Sequence, residues 1–198
     1  EVKSLMPREF ERLAWSGFLG MPLRDQVMEV VRNHRTTLVF TNTRAQSEIW
    51  YHRLLEADAG LAGQLALHHG SLAKETRAWI ADAIGEGRLK AVVCTSSLDL
   101  GVDFPPVEAV VQVGSPKGVA RFLQRAGRSG HQPGGVSRIH FVPTHGLELL
   151  EGAALREAVA EGRIEARRPV IRCFDVLAQW LCTRALGGGF EVEEAKKD

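Results

Sequence analysis

Apolar residues along this chain switch repeatedly between two spacings. Leu23, Val27, Val30 and Val31 recur at helical pitch. Turn-like Asn33-His34-Arg35 follows, and then the run Thr36-Thr37-Leu38-Val39-Phe40, whose β-branched residues predict a buried strand. A second helix is predicted from Thr43, because Thr43 and Gln46 have capping-box spacing and Ile49, Trp50 and Leu54 then repeat on one face. A strand over 64–68 and a helix over 72–84 come next, the helix turning Trp79, Ile80 and Ala83 inward and ending at Gly85 and Gly87. Strands over 90–95 and 109–113, a helix over 118–130 and a strand over 136–142 complete the series.

Strands that are almost wholly apolar, interleaved with long helices, need cover on both faces and therefore predict a parallel sheet. The α/β domain so defined ends near Pro143. Beyond it two amphipathic helices, over 147–161 and 170–186, have no strand between them and are joined by the basic segment 163–172. This tail reads as a helical appendage that begins another domain.

Composition narrows the class. With 198 residues, 44% of them hydrophobic and 25% charged, the chain can bury a substantial core, and disorder is excluded as its main state. Its 25 basic and 24 acidic residues leave a net charge of +1, so an affinity for polyanions has to come from uneven placement. The three cysteines, Cys94, Cys173 and Cys182, are widely spaced and form no CxxC pair, against a disulfide framework or a zinc site. The apolar runs are too short to cross a bilayer, and a cytoplasmic location with no membrane partner is the expectation. Because the chain opens at Glu1 and closes just after Gly187-Gly188-Gly189, it is expected to be part of a longer protein.

In open parallel sheets ligands gather at the carboxyl ends of the strands. The loops there are polar: Thr41-Asn42-Thr43-Arg44, His69-Gly70-Ser71, Thr95-Ser96-Ser97 and Gly114-Ser115-Pro116-Lys117. Each leads into a helix N-terminus, whose free N–H groups suit phosphate, although Ser and Thr also cap helices as a matter of course. The sharpest pattern is Gln124-Arg125-Ala126-Gly127-Arg128-Ser129-Gly130-His131. On a helix, Val119, Phe122, Leu123 and Ala126 make an apolar stripe, and Arg121, Gln124, Arg125 and Arg128 fall opposite, projecting outward. No acidic residue occurs between Glu108 and Glu148, so this arginine row lacks local carboxylates and asks for an external anion. The paired His68-His69 have no cysteine or carboxylate partners at ligand spacing, and no metal is assigned to them. Trp50 and Trp79 fall on apolar faces and are expected in the core.

The spacing Q-R-x-G-R-x-G-H resembles motif VI of superfamily 2 helicases. Thr95-Ser96-Ser97-Leu98-Asp99-Leu100-Gly101-Val102-Asp103 resembles motif V, Leu38 through Arg44 resembles motif IV, and His68-His69-Gly70-Ser71-Leu72 resembles motif IVa. They occur in the family's order and at its intervals over residues 22–145, and identify a second RecA-like domain. Gly127-Arg128-Ser129-Gly130-His131, together with Phe174 through Gln179 and Leu186 through Phe190 of the tail, is most similar to the large helicase-related (Lhr-type) proteins, and among them to the bacterial ligase-associated DEXH-box DNA helicases. The resemblance implies a linker over 1–21, the motor domain over 22–145, a connecting helix over 146–165 and the start of a winged-helix domain over 166–198.

In this family ATP and magnesium are held mainly by the first RecA-like domain, and neither G-x-x-x-x-G-K-[ST] nor D-E-x-H occurs here. The fragment alone is thus expected to be inactive. The resemblance makes Arg128 an arginine finger, with Gln124 and Arg125 ordering the interface and Arg125 tied to acids such as Asp99 or Asp103. Gly101 and Asp103 approach the nucleotide, and His131, which stands where a second finger is common, makes a supporting contact. Thr41, Asn42, Thr43, Gly70, Ser71 and Thr95 match positions that grip successive phosphates of a tracking strand. The implied partners are single-stranded or forked DNA, the first RecA-like domain of the same parent and other DNA repair proteins, with movement in the 3′-to-5′ sense. An RNA helicase domain and a non-catalytic nucleic-acid-binding module are the alternatives, since motifs IV to VI do not separate DNA from RNA.

Overall fold

Leu38 and Phe40 face one side of a central strand and Val39 the other, and all three are fully buried, because helices cover the sheet twice. A computed structural model describes residues 1–6, 19–99, 107–130, 136–166 and 171–195. Six strands, β1 (Val2–Ser4), β2 (Thr37–Phe40), β3 (Leu65–His68), β4 (Ala91–Cys94), β5 (Ala109–Val113) and β6 (Ile139–Val142), form one sheet in the order β1-β6-β5-β2-β4-β3. Every pairing is parallel.

The helices are α1 (Arg24–Asn33), α2 (Arg44–Ala57), α3 (Lys74–Gly85), α4 (Val119–Ala126), α5 (Gly146–Ala160), α6 (Phe174–Leu186) and α7 (Val192–Ala195). On one face, Val27 and Val31 of α1 and Trp50 and Leu54 of α2 pack on Val39, Val93 and Val111. On the other, Ile80 and Ile84 of α3, Phe122 of α4 and Leu155 of α5 pack on Phe40, Val92 and Phe141. The result is the RecA-like sheet with helices on both faces that the pattern predicts. Glu1–Glu165 form one compact unit and Ala166–Asp198 a second. In the second, α6 has no fully buried residue, and Trp180 lies beside Phe190 with ring centroids 6.3 Å apart.

Four expectations need correcting. Part of the stretch read as linker is a strand: Val2 pairs with Ile139, and the Leu5 N–H donates to the Phe141 carbonyl at 2.8 Å. A three-residue edge strand paired far along the chain leaves no periodic trace. Helix α4 stops at Ala126 instead of reaching residue 130, because Ser129 and Val107 form an isolated parallel bridge that draws the chain back toward the sheet. Trp79 is 51% exposed, one step off the Ile80-Ala83-Ile84 stripe, and its ring lies 5.4 Å from the Arg88 guanidinium. The capping box at α2 is half formed: the Thr43 hydroxyl accepts from the Gln46 N–H at 3.2 Å, while Gln46 Oε1 accepts from the Asn42 N–H, one residue earlier than the motif requires.

Candidate functional site

Parallel register sets Phe40, Cys94 and Gln112 side by side at the carboxyl ends of β2, β4 and β5. Beneath the loops leaving these strands lies a buried polar assembly. Arg125 directs Nε to Asp99 Oδ1 at 2.8 Å and Nη2 to Oδ2 at 3.2 Å, and its Nη1 donates to Gln112 Oε1 at 2.6 Å. The Phe40 ring lies 4.7 Å from the guanidinium carbon. Arg125 is 2% exposed and Asp99 6%. A guanidinium out of water needs its charge matched and its donors filled, and the two-pronged carboxylate with the Gln112 amide does both. Arg125 therefore does not project outward with the other arginines: α4 is rolled so that Phe122, Arg125 and Ala126 face inward together.

Arg128, two residues past the end of α4, is half-buried, and its Nη2 donates to the main-chain carbonyl of the same Asp99 at 2.6 Å. The 3₁₀ turn Ser96–Leu98 and Asp99 thus hold one arginine by side chain and the next by backbone. Arg121 is half-exposed, with Nε 3.9 Å from Asp99 Oδ2. Gln124 is half-buried on α4. Gly101, Asp103 and His131 lie outside the described residues. Cys94, fully buried beneath this assembly, has its thiol pushed far up from the ordinary range by burial, which Arg125 opposes and Asp99 reinforces. It is a core residue without nucleophilic character.

The strand-end loops are stitched to one another. Asn42 Nδ2 donates to the Ser115 carbonyl at 2.8 Å, joining the loops after β2 and β5. Arg44 Nη1 donates to Ser71 Oγ at 3.0 Å, joining those after β2 and β3. His68 Nδ1 lies 2.8 Å from Ser97 Oγ, which donates to the His68 carbonyl, joining β3 to the loop after β4. Burial, with Arg77 and His69 nearby, lowers the His68 pKa below the usual histidine range. His69 Nε2 lies 3.6 Å from Glu48 Oε1.

Of the residues expected to grip phosphate, Asn42, Thr43, Gly70 and Ser71 are exposed on this edge and Thr95 is half-buried beside them. Thr41 is not available in the same way: it is fully buried, and its hydroxyl lies 3.2 Å from the Thr43 carbonyl and 3.3 Å from that of Cys94. It shapes the loop from below.

Two residues escaped sequence reasoning. Gln112, the one polar residue of β5, was the available signal for a buried partner of Arg125. Glu148, 5% exposed in the first turn of α5, accepts from the Ser115 N–H at 2.8 Å and from the Thr144 N–H and hydroxyl at 2.6 and 2.8 Å. Its position just inside a helix N-terminus was the only hint. No helix among the described residues is long and apolar enough to cross a membrane.

The helicase conserved C-terminal domain family matches residues 23–132, and the winged helix domain of large helicase-related protein matches residues 157–198. The ATP-dependent helicase Lhr-Core of Methanothermobacter thermautotrophicus is 35% identical over 179 residues, covering 89% of this chain and 21% of that protein. The Lhr helicase/uracil glycosylase of Escherichia coli is 36% identical over 197 residues, covering 85% of this chain and 13% of that protein. The solved structure of Mycobacterium smegmatis helicase Lhr bound to ssDNA and AMP-PNP superposes with a TM-score of 0.86 at 33% identity, over 98% of this chain and 26% of that one. The DUF1998 helicase MrfA bound to DNA shares the fold, with a TM-score of 0.70 at 23% identity. The chain thus spans about a fifth or less of the curated relatives it matches. Motif order, the sheet and these matches agree that the chain belongs to the helicase conserved C-terminal domain family, in the Lhr type of superfamily 2 helicases.

Proposed function

We propose that this chain is the second half of the motor of an ATP-dependent DNA helicase or translocase with a role in DNA repair, working in the cytoplasm. Residues 22–145, with strand β1 (Val2–Ser4) added to their sheet, form the motor domain, 146–165 connect and 166–198 open the winged helix. The observation that carries the reading is the pair of arginines on one residue: Asp99 holds Arg125 through its carboxylate and Arg128 through its main-chain carbonyl, which fixes both motif VI arginines to the turn after β4. A guanidinium so held, with Arg121 in the first turn of α4 also close to Asp99, suits a triphosphate carried by a facing lobe.

In this mechanism ATP, held with magnesium by the first RecA-like domain of the parent, supplies the transferable phosphoryl group. Closure of the two domains brings Arg128 against the γ-phosphate, where its charge stabilises the transition state. Gln124 and Arg125 order the interface, and Gly101, Asp103 and His131 border the nucleotide. Asn42, Thr43, Gly70, Ser71 and Thr95 hold successive phosphates of one DNA strand through hydroxyls and amides, which let go easily and read no sequence. Opening after hydrolysis advances this grip along the strand. The relative bound to ssDNA supports DNA as the substrate.

The test is Arg128→Ala in the full-length parent. Strand-stimulated ATP hydrolysis falls by about 10³-fold or more, as for other arginine fingers, while strand affinity is kept. Hydrolysis within ten-fold of the parent's overturns the reading. Single-stranded DNA and RNA of one sequence, compared as stimulators, separate a DNA motor from an RNA helicase.

A further inference from the structure

Helix α4, which carries Gln124 and Arg125 and leads directly into Arg128, has no cap of its own. Its N-cap residue is Gly118, and its first turn holds no acidic residue. The loop before it is awkward, with Lys117 at φ 57° and Gly118 at φ 145°. An uncapped two-turn helix should fray from this end.

The cap comes from far along the chain. Glu165 places Oε1 on the Val119 N–H and Oε2 on the Ala120 N–H, the latter at 3.0 Å, filling two of the open donors with a negative charge at the positive end of the helix. Glu165 is delivered there by the end of α5. The Gly162 N–H bonds the Val159 carbonyl at 3.2 Å and the Arg163 N–H bonds the Ala158 carbonyl at 2.8 Å, a Schellman turn made possible by Gly162 at φ 65°. The approach is close: a Cβ on Gly118 would lie 2.9 Å from Glu165 Oε1. α4 is therefore pinned at both ends, by Glu165 at the N-terminus and by the Arg125–Asp99 pair near the C-terminus.

We infer that Glu165 is a positioning residue for the arginine finger: by fixing the N-terminus of α4 it sets the angle at which Arg128 is presented. This rests on the motor reading above. Glu165 is exposed and the last residue of the first compact unit, so the fold does not depend on burying it, and the covalent junction with Ala166 adjoins the cap.

The experiment uses the full-length parent and four variants: Glu165→Ala, Glu165→Gln, Arg128→Lys and Glu165→Ala with Arg128→Lys. Glu165→Ala lowers the strand-stimulated kcat by about five-fold, a loss of cap size, with KM for ATP and Kd for a fluorescent DNA strand within about two-fold. Glu165→Gln keeps one carbonyl acceptor and recovers part of the loss. Because the effect passes through the Arg128 guanidinium, adding Glu165→Ala to Arg128→Lys lowers kcat by less than about two-fold further. An unchanged kcat in Glu165→Ala, an equal loss in the Arg128→Lys background, or a loss seen in strand Kd instead of kcat overturns the inference. If Arg128→Lys itself leaves kcat unchanged, it is the motor reading that fails.

Discussion

Arg125 and Asp99 meet fork to fork beneath α4, at 2.8 and 3.2 Å, although 26 residues separate them in sequence. The pair locks the turn after β4 to the arginine helix. Both partners are nearly inaccessible to water, so removing Asp99 leaves the Arg125 charge buried and unmatched, and removing Arg125 leaves Asp99 with half-exposed Arg121 at 3.9 Å in place of a two-pronged partner.

The first prediction concerns that lock. Arg125→Ala and Asp99→Ala each lower the unfolding free energy of this chain by about 3–5 kcal/mol in urea titrations. Arg125→Lys also loses stability, because an ammonium cannot span two carboxylate oxygens and the Gln112 amide together. A loss under about 1 kcal/mol for Asp99→Ala would show that the pair is not closed in solution.

Packing of α5 on strand β6 gives a second prediction. A Cβ on Gly152 of α5 would lie 2.8 Å from two ring carbons of Phe141, which is buried in the core. The ring has nowhere to retreat, so Gly152→Ala costs about 1–3 kcal/mol despite the helix-favouring residue it introduces. Combining it with Phe141→Leu recovers part of that cost in the same titration. Additive losses would place the strain elsewhere.

A third prediction follows from His140. Burial chiefly, then His34 and Lys3, with Arg138 adding a little and Glu1 opposing, lowers its pKa from 6.5 to about 4. A histidine with a depressed folded-state pKa binds its proton more readily when unfolded. Its contribution is complete above about pH 6.5 and is lost as pH falls toward 4. His68 shifts in the same direction. The urea midpoint of the chain therefore falls between pH 7 and pH 5, and His140→Gln flattens that fall. A midpoint independent of pH over this window, or an equal slope in the variant, contradicts the assignment.

Part of this fold is legible in the sequence and part is not. The strands β2, β4 and β5 were legible because double-sided burial turns each into a continuous apolar run. Strand β1 was not, since its partner among the described residues is β6, more than 130 residues later in the sequence. The motif residues marked the edge where Asn42, Thr43, Gly70 and Ser71 lie together. Helical pitch turned Arg125 outward, because a charge counts as polar by pitch alone; the family resemblance named Asp99 as a candidate partner, which the structure bears out, while Gln112 on β5 went unseen. The Glu165 cap was hidden for the same reason: the bond spans 46 residues and obeys no local rule.

The last prediction separates Thr41 from its neighbours. Although it sits in the same polar loop as Asn42 and Thr43, its buried hydroxyl lies within reach of the Thr43 and Cys94 carbonyls and not of solvent. Thr41→Val keeps the shape and loses that hydrogen bonding, so it lowers stability by about 1 kcal/mol while the parent's affinity for a DNA strand is unchanged. Ser71→Asp sets a negative charge on the exposed edge where a phosphate would lie, and weakens strand binding at low salt by roughly ten-fold with little effect on folding. Fluorescence anisotropy with one labelled strand reads both. If Thr41→Val weakens binding as much as Ser71→Asp does, the loop opens on contact with DNA, and the buried threonine belongs to the grip after all.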